Sequence, residues 1–249
     1  MKLAALWRHP IKSCGREALQ AAALRAGEAL PWDRHWAVLH DVSKHDASMP
    51  GWAKCQNFMR GASTPGLAGI WATLDETRAQ LTLRHVDLGT HVFAPNDPAQ
   101  AAAFFDWIAP LCPAGRAQPK AIATAPGRGM TDSSVAGISL MNMASHRAVE
   151  RQIGHALSPA RWRGNLWLEG AQAWAEHDWI GREIKIGGAV LQIRKRIERC
   201  MQTHANPDTG KRDADILGAL DHFGHRDFGM QAIVLQSGTI TLEDEAILL

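Results

Sequence analysis

The 249-residue sequence lacks the cysteine patterns that would assign it to several common classes of protein. Its four cysteines lie far apart and form no Cys-x-x-Cys pair, which excludes a zinc ribbon and a dense disulfide framework. The same spacing offers no ligand set for an iron–sulfur cluster, and no flavin or haem motif is evident. These absences favour a reducing compartment and a chain without a redox group of these kinds.

Long hydrophobic runs and a strong charge of one sign are also missing. No uncharged apolar run approaches the roughly 20 residues of a membrane helix, and the apolar start at residues 1–6 is too short for a signal-peptide core. We therefore expect a cytoplasmic protein without a membrane span. The formal net charge is +2, and the basic residues lack interleaved aromatic residues, so a nucleic-acid partner is not expected.

Short segments of alternating hydrophobicity predict strands in both halves of the chain. The predicted strands are 3–8, 18–24, 35–40, 70–74, 80–84, 165–169, 183–186, 189–194, 230–236 and 239–242. Helices are predicted at 98–111 and at 145–157, the second with Ser145 as its N-cap. The stretch 113–128, rich in Pro, Gly, Ala and basic residues, predicts a connector or a surface loop between two folding units.

The densest group of charged residues surrounds one cysteine. Arg194, Lys195, Arg196 and Arg199 all precede Cys200. Fixed positive charge favours the thiolate form of a cysteine, and a thiolate is a nucleophile or a soft metal ligand. The alternative is an exposed strand edge of alternating charges that ends in an inert, buried thiol.

A second group of anion-binding residues lies near the N-terminus. Segment 9–15 places Lys12 and Ser13 beside a turn, and Arg34 follows soon after. Lysine, serine, backbone amides and arginine are common ligands of phosphate. The alternative is that each segment is an ordinary solvated turn.

A third group precedes a predicted strand in the second half. Arg161, Arg163 and Asn165 offer two guanidinium groups and an amide. Such a set suits an oxyanion and the edge of a heterocyclic ring. An ordinary basic strand start is the alternative interpretation.

Taken together, these segments resemble those of MOSC-type proteins. The matching segments, in the family's order, are 9–13 (HPIKS), 33–36 (DRHW), 161–165 (RWRGN), 176–182 (EHDWIGR), 199–203 (RCMQT) and 206–210 (NPDTG). The resemblance covers nearly the whole chain, and order plus spacing make it specific where any single segment is weak. Relatives in this family include the mitochondrial amidoxime-reducing component and a bacterial reductase of N-hydroxylated bases.

The resemblance implies a fold, a cofactor and a reaction. It predicts a mainly β fold with some helices (α+β), with an N-terminal β-barrel subdomain at residues 1–115 and a MOSC-type β-barrel domain at 116–249. The family binds the molybdopterin form of the molybdenum cofactor between these parts. We therefore expect an oxidoreductase that reduces N-hydroxylated or related N-oxygenated small molecules, with electrons from a separate reductase.

The resemblance also implies roles for single residues. Cys200 is the expected ligand to molybdenum. The residues expected to bind the cofactor are Lys12, Ser13, Arg34, Ser145, Arg163, Asn165, Cys200 and Thr203. Apart from the resemblance, the position of Arg199 next to Cys200 suits it to hold negative charge at the metal, and Asp208 or His204 is a candidate to relay a proton at the mouth of the site. The alternative is that Asp208 and His204 are only loop residues.

This sequence departs from the family pattern at three places. Gly164 stands where the family usually has proline, and Trp162 where it usually has phenylalanine, although neither change removes a binding group. Segment 49–55 does not show the family's usual polar motif. The residues that contact the substrate therefore stay unassigned.

Two other functions compete with the reductase. The chain is alternatively a carrier that stores the cofactor or receives sulfur on Cys200. A cysteine hydrolase is the other alternative, with Cys200 activated by His204 or His222. Turnover of an N-hydroxylated compound with an electron donor separates the reductase from the carrier. The hydrolase instead predicts a covalent adduct on the thiol that is lost when Cys200 is mutated, with no metal present.

Overall fold

Strands dominate the computed structural model, which describes residues 1–249. The fifteen strands are β1 Lys2–Arg8, β2 Glu17–Ala18, β3 Ala21–Leu24, β4 Trp36–His40, β5 Trp71–Asp75, β6 Gln80–His85, β7 Gly89–Phe93, β8 Pro119–Thr124, β9 Ile138–Asn142, β10 Leu166–Glu169, β11 Glu183–Ile186, β12 Ala189–Glu198, β13 Asp227–Gln236, β14 Gly238–Thr241 and β15 Ala246–Leu248. The three α-helices are α1 Pro98–Ile108, α2 Met143–Ile153 and α3 Ile216–His222. The mainly β fold with some helices is thus confirmed.

Eight strands form one curled sheet in the order β15-β11-β12-β13-β9-β10-β1-β2. Neighbouring strands are antiparallel except β9 and β10, which run parallel. The first strand of the chain lies inside this sheet, since Leu6 of β1 pairs with Leu166 of β10. This pairing places the loop after β1 beside the segment that leads into β10.

The remaining strands form three small antiparallel sheets: β14 with β3, β4 with β8, and β5-β6-β7. Helix α1 packs on the last of these, and the Phe104 ring stacks on Phe93 with centroids 4.4 Å apart. The helix begins as predicted, because the Asp97 carboxylate accepts a hydrogen bond from the Ala99 amide at 2.9 Å. None of the helices has the length and hydropathy needed to cross a bilayer.

The stretch 113–128 is not only a connector. Residues Pro119–Thr124 form β8, which pairs with β4 in the register Val38 to Ile122. The prediction failed because Pro, Gly and basic residues interrupt the stretch, while its alanines, such as buried Ala123, supply only a small apolar signal. Strand β4 precedes residue 115 in the sequence and β8 follows it, so their pairing joins the two predicted domains. The domain boundary between residues 115 and 116 stays a prediction.

The second helix begins earlier than predicted. Asn142, not Ser145, is the N-cap of α2, since its side-chain oxygen accepts from the Ala144 amide at 2.9 Å. The N-cap assignment of Ser145 was therefore wrong. Strand 18–24 splits into β2 and β3, and the elements absent from the prediction are β7, β8, β9, β15 and α3.

Candidate functional site

A cavity of about 660 Å³ lies between the loop after β1 and the end of β12. Eight cationic residues line it: Lys12, Arg34, Arg60, Arg161, Arg163, Lys195, Arg196 and Arg199. The lining carboxylates are Asp132, Glu198 and Asp227. This excess of positive charge in a concave site favours an anionic ligand.

The thiol of Cys200 opens into this cavity. Strand β12 ends at Glu198, and Cys200 is exposed at the start of a 3-10 turn over Met201–His204. Buried Thr203 holds this turn, because its hydroxyl donates to the Cys200 carbonyl at 3.0 Å. Cys200 is therefore an accessible thiol in this fold and not the inert, buried thiol of the alternative interpretation.

Arg199 anchors the residue next to the thiol. Its Nε and Nη2 donate to the Phe228 carbonyl at 2.8 and 2.6 Å, and its Nη1 donates to the Trp162 carbonyl at 2.9 Å. Burial lowers the pKa of Arg199 to about 10. The guanidinium thus ties β12 to β13 and to segment 159–162 while it lines the cavity.

The N-terminal loop carries Lys12 and Ser13 into the cavity. The Lys12 ammonium donates to the Met130 carbonyl at 2.9 Å and to the Asp132 carboxylate at 2.5 Å. Burial lowers the pKa of Lys12, and the nearby Asp132 opposes that shift. Ser13 has φ 62°, so the backbone turns sharply directly after Lys12.

Arg34 connects this loop to the other half of the chain. Its Nη1 pairs with the buried Asp33 carboxylate, and its Nη2 donates to the Arg163 carbonyl at 2.8 Å. The amide of Arg34 donates to the His9 carbonyl at 2.7 Å. Arg34 therefore fixes the distance between segment 9–15 and segment 161–165.

Asn165 holds the entry to β10 from the same side. Its side-chain oxygen accepts from the Ser139 hydroxyl at 2.7 Å, and its Nδ2 donates to the Trp7 carbonyl at 3.1 Å. Asn165 is buried and lines the cavity together with Arg163. Both residues were selected from the sequence.

Three residues predicted for the site lie outside the cavity lining. Ser145 is fully buried, and its hydroxyl donates to Glu176 Oε1 at 2.7 Å. Asp208 is exposed and pairs with Arg16 at 2.9 Å. His204 Nε2 accepts from the Leu217 amide at 3.2 Å. The structure does not bring these three groups to Cys200.

No histidine lines the cavity, which weakens the hydrolase alternative. His222 is exposed at the end of α3, and Nε2 of His204 accepts a hydrogen bond from the Leu217 amide. A cysteine hydrolase needs a base within hydrogen-bond reach of its nucleophile. Neither His204 nor His222 lines the cavity into which Cys200 opens.

Sequence reasoning missed Asp132 and Arg60. Burial alone raises the pKa of the Asp132 carboxyl, but Lys12, Arg34 and Arg60 outweigh it and lower that pKa overall. Neither residue stands in a segment that was singled out, although Thr131, Asp132 and Ser133 form a polar run before β9. Their partners are distant in sequence, so no local pattern marks them.

Comparisons with known proteins identify two sequence families. The family model described as MOSC domain matches residues 130–246, and the model described as MOSC N-terminal beta barrel domain matches residues 1–115. No curated protein matches the sequence.

Three similar crystal structures were compared with the chain. YiiM from Geobacillus stearothermophilus has 20% identity and a TM-score of 0.34 over 45% of this chain and 53% of that one. YiiM from Escherichia coli has 16% identity and a TM-score of 0.35 over the same shares. The YUAD protein from Bacillus subtilis has 14% identity and a TM-score of 0.49 over 98% and 93%. The chain thus spans about half the length of the YiiM proteins it matches.

Proposed function

Because this chain belongs to the MOSC family, we propose that it binds the molybdopterin form of the molybdenum cofactor and reduces N-hydroxylated or related N-oxygenated compounds. The family is linked to binding of the molybdenum cofactor. One observation carries the proposal: the accessible Cys200 thiol opens into a cavity with eight cationic side chains. A thiolate is a soft ligand for a metal, and the cations suit a phosphate.

The buried cations of the cavity support this fit. Arg163 is 9% exposed, and its guanidinium donates only to the Ile11 and Gly15 carbonyls, each at 3.1 Å. Burial, and then the neighbouring Arg34, lower the pKa of Arg163 to about 9. A buried cation without a carboxylate partner is costly, and a phosphate anion in the cavity offsets that cost.

The donor set also suits a metal that arrives with its own ligands. No group of three His, Cys, Asp or Glu side chains that could hold a metal ion occurs in the structure. The pterin of this cofactor brings a dithiolene, so a single protein thiolate, that of Cys200, completes the set. Lys12, Ser13 and Arg34 would hold the phosphate, and Arg163 and Asn165 would contact the pterin.

When bound, the cofactor supplies two-electron redox chemistry at molybdenum. The overall reaction breaks the N–O bond with two electrons and two protons, leaves N–H on the substrate and releases water. Arg199 and Thr203 fix the loop that carries Cys200, and Arg34 fixes the two segments around the phosphate. The electrons come from a separate reductase in this proposal, because the sequence holds no flavin, haem or iron–sulfur motif.

Metal and pterin analysis tests the proposed ligand. The protein is produced in a host that makes the cofactor, and molybdenum is measured by mass spectrometry and pterin by fluorescence after oxidation. Cys200→Ala should lose molybdenum, whereas Cys55→Ala, which alters the other cysteine in the cavity lining, should retain it. Wild-type protein that folds but contains neither metal nor pterin would refute the proposal.

Turnover then separates the reductase from a carrier. Loaded wild-type protein should reduce benzamidoxime to benzamidine with chemically reduced viologen as electron donor. Loaded protein that retains molybdenum but reduces no N-hydroxylated compound would favour the carrier.

A further inference from the structure

The eight cations of the cavity fall into two groups. Five donate hydrogen bonds to protein acceptors: Lys12, Arg34, Arg161, Arg163 and Arg199. The other three, Arg60, Lys195 and Arg196, are exposed, and their side chains make no hydrogen bond or ion pair with the protein. The first group builds the site, and the second is free to meet a ligand.

Arg60 is the free cation that the fold places beside the loop of Cys200. Gly61, the next residue, packs so closely on Gln202 that an added Cβ would lie 2.8 Å from Gln202 Cδ. The carbonyl of Ala62 accepts a hydrogen bond from Arg212 Nη2 at 2.7 Å. Segment 60–62 from the first half of the chain therefore lies against the loop that starts at Cys200.

The three free cations differ in the carboxylates that lie near them. Glu198 lies on β12 together with Lys195 and Arg196, and Asp227 of the neighbouring β13 pairs with Glu198 in the register of the two strands. The carboxylate that influences Arg60 is Asp132, which is already bonded to the Lys12 ammonium. Arg60 therefore keeps its guanidinium donors available for an anion.

Few hydrophobic residues line the cavity. The lining carbon side chains, apart from the cysteines, are Ala62, Ile138, Trp162 and Ile197. Ile138 and Trp162 are fully buried, at 0% and 1% exposure. Eight cationic side chains line the cavity, so we expect charge to contribute to the binding of a substrate here.

We propose that Arg60 makes this cavity selective for N-oxygenated substrates that carry an anionic group, such as a carboxylate. The proposal rests on the proposed function, since it names the class of substrate for the same site. Arg60 pairs with the anionic group while the N–O group faces the Cys200 side of the cavity. The planar guanidinium suits a carboxylate, to which it donates two parallel hydrogen bonds.

A matched pair of substrates tests this role in the loaded protein. Benzamidoxime is neutral, and 4-carboxybenzamidoxime differs from it by one carboxylate. Wild-type protein should bind the carboxylate more tightly, and Arg60→Gln should weaken that binding about tenfold while leaving the neutral compound unchanged. Arg60→Lys keeps the charge and should retain part of the preference, and Arg84→Gln, on β6 outside the cavity, should change neither compound.

Binding is measured by calorimetry without an electron donor, and KM with reduced viologen, both per bound molybdenum. The calorimetric readout separates this proposal from the proposed function. If neither compound is reduced but Arg60→Gln still abolishes the preference in binding, the anion site stands and the reductase proposal fails. Equal binding of both compounds by wild type, or equal losses for both in Arg60→Gln, would overturn the role of Arg60.

Discussion

The buried guanidinium of Arg163 donates a hydrogen bond to the Ile11 carbonyl at 3.1 Å, across 152 positions of the sequence. A second bond, to the Gly15 carbonyl, encloses the loop that carries Lys12. Arg34 completes the connection, since it donates to the carbonyl of Arg163 itself. The phosphate-binding residues of the proposed site thus depend on one arginine from the other half of the chain.

Removal of that arginine should destabilise the fold. Arg163→Met leaves the buried Gly15 carbonyl without a donor and the Ile11 carbonyl with only its bond from the Cys14 amide, which should lower the free energy of unfolding by about 2 kcal/mol. Urea unfolding followed by circular dichroism measures the change. Arg194→Met, at an exposed position of β12, should change it by less than about 0.5 kcal/mol. Equal effects of the two substitutions would show that the bonds of Arg163 contribute nothing.

A buried carboxyl group predicts a pH-dependent stability. Burial raises the pKa of Glu176 above its usual 4.5, although hydrogen bonds from Asn142 and Ser145 oppose the shift. Above pH 4.5 the native state therefore holds a proton that the unfolded state has released, so stability falls as pH rises through the native pKa. Glu176→Gln cannot ionise, and its stability relative to wild type should increase with pH across that window.

Urea unfolding at a series of pH values, from about 4 to about 8, measures this difference. Glu245→Gln, at an exposed position near the C-terminus, is the control and should show a difference that varies little with pH. A constant offset for Glu176→Gln across the series would mean that Glu176 has the same proton affinity in both states.

The glycine at position 164 has a steric explanation in this chain. A Cβ at Gly164 would lie 2.3 Å from Cγ of Met141, which is fully buried. Gly229 approaches the same side chain, since its Cβ would lie 2.3 Å from Met141 Sδ. The methionine thus occupies the space that a larger residue at position 164, such as the family's usual proline, would need.

A double-mutant cycle tests this packing. Gly164→Ala should lower the free energy of unfolding by about 1–3 kcal/mol in the wild-type background because it overpacks the core. The same substitution should cost less in a Met141→Ala background, where the space is vacant. Strictly additive losses in the double variant would mean that the two positions do not compete for volume.

Local patterns predicted those strands whose alternation and turns are clear. Strand β11 has the predicted bounds 183–186, since a Gly-Gly turn follows an alternating run. Strand β12 runs four residues beyond its predicted end at 194, since Lys195 still pairs with Gln231 of β13. The hydrophobicity pattern missed this extension because the added residues are mostly charged and exposed. Strand β8 was missed because its composition is that of a loop.

The sequence by itself determined which residues are chemically suited to an anion and a metal. The motifs that contain Lys12, Arg34, Arg163 and Cys200 stand in the family's order, and all four side chains line one cavity. Such motifs are readable because each packs its functional groups into a few consecutive positions.

The tertiary structure decided which other groups lie beside these four side chains in the cavity. The pairing of β1 with β10 brings the Lys12 loop to Arg163, and the packing of Gly61 on Gln202 brings Arg60 to the loop of Cys200. Ser145 shows the reverse, because its position in α2 turns its hydroxyl to Glu176 and away from the cavity. Sequence patterns report neighbours along the chain, whereas burial and contact between distant segments depend on how the curled sheet brings those segments together.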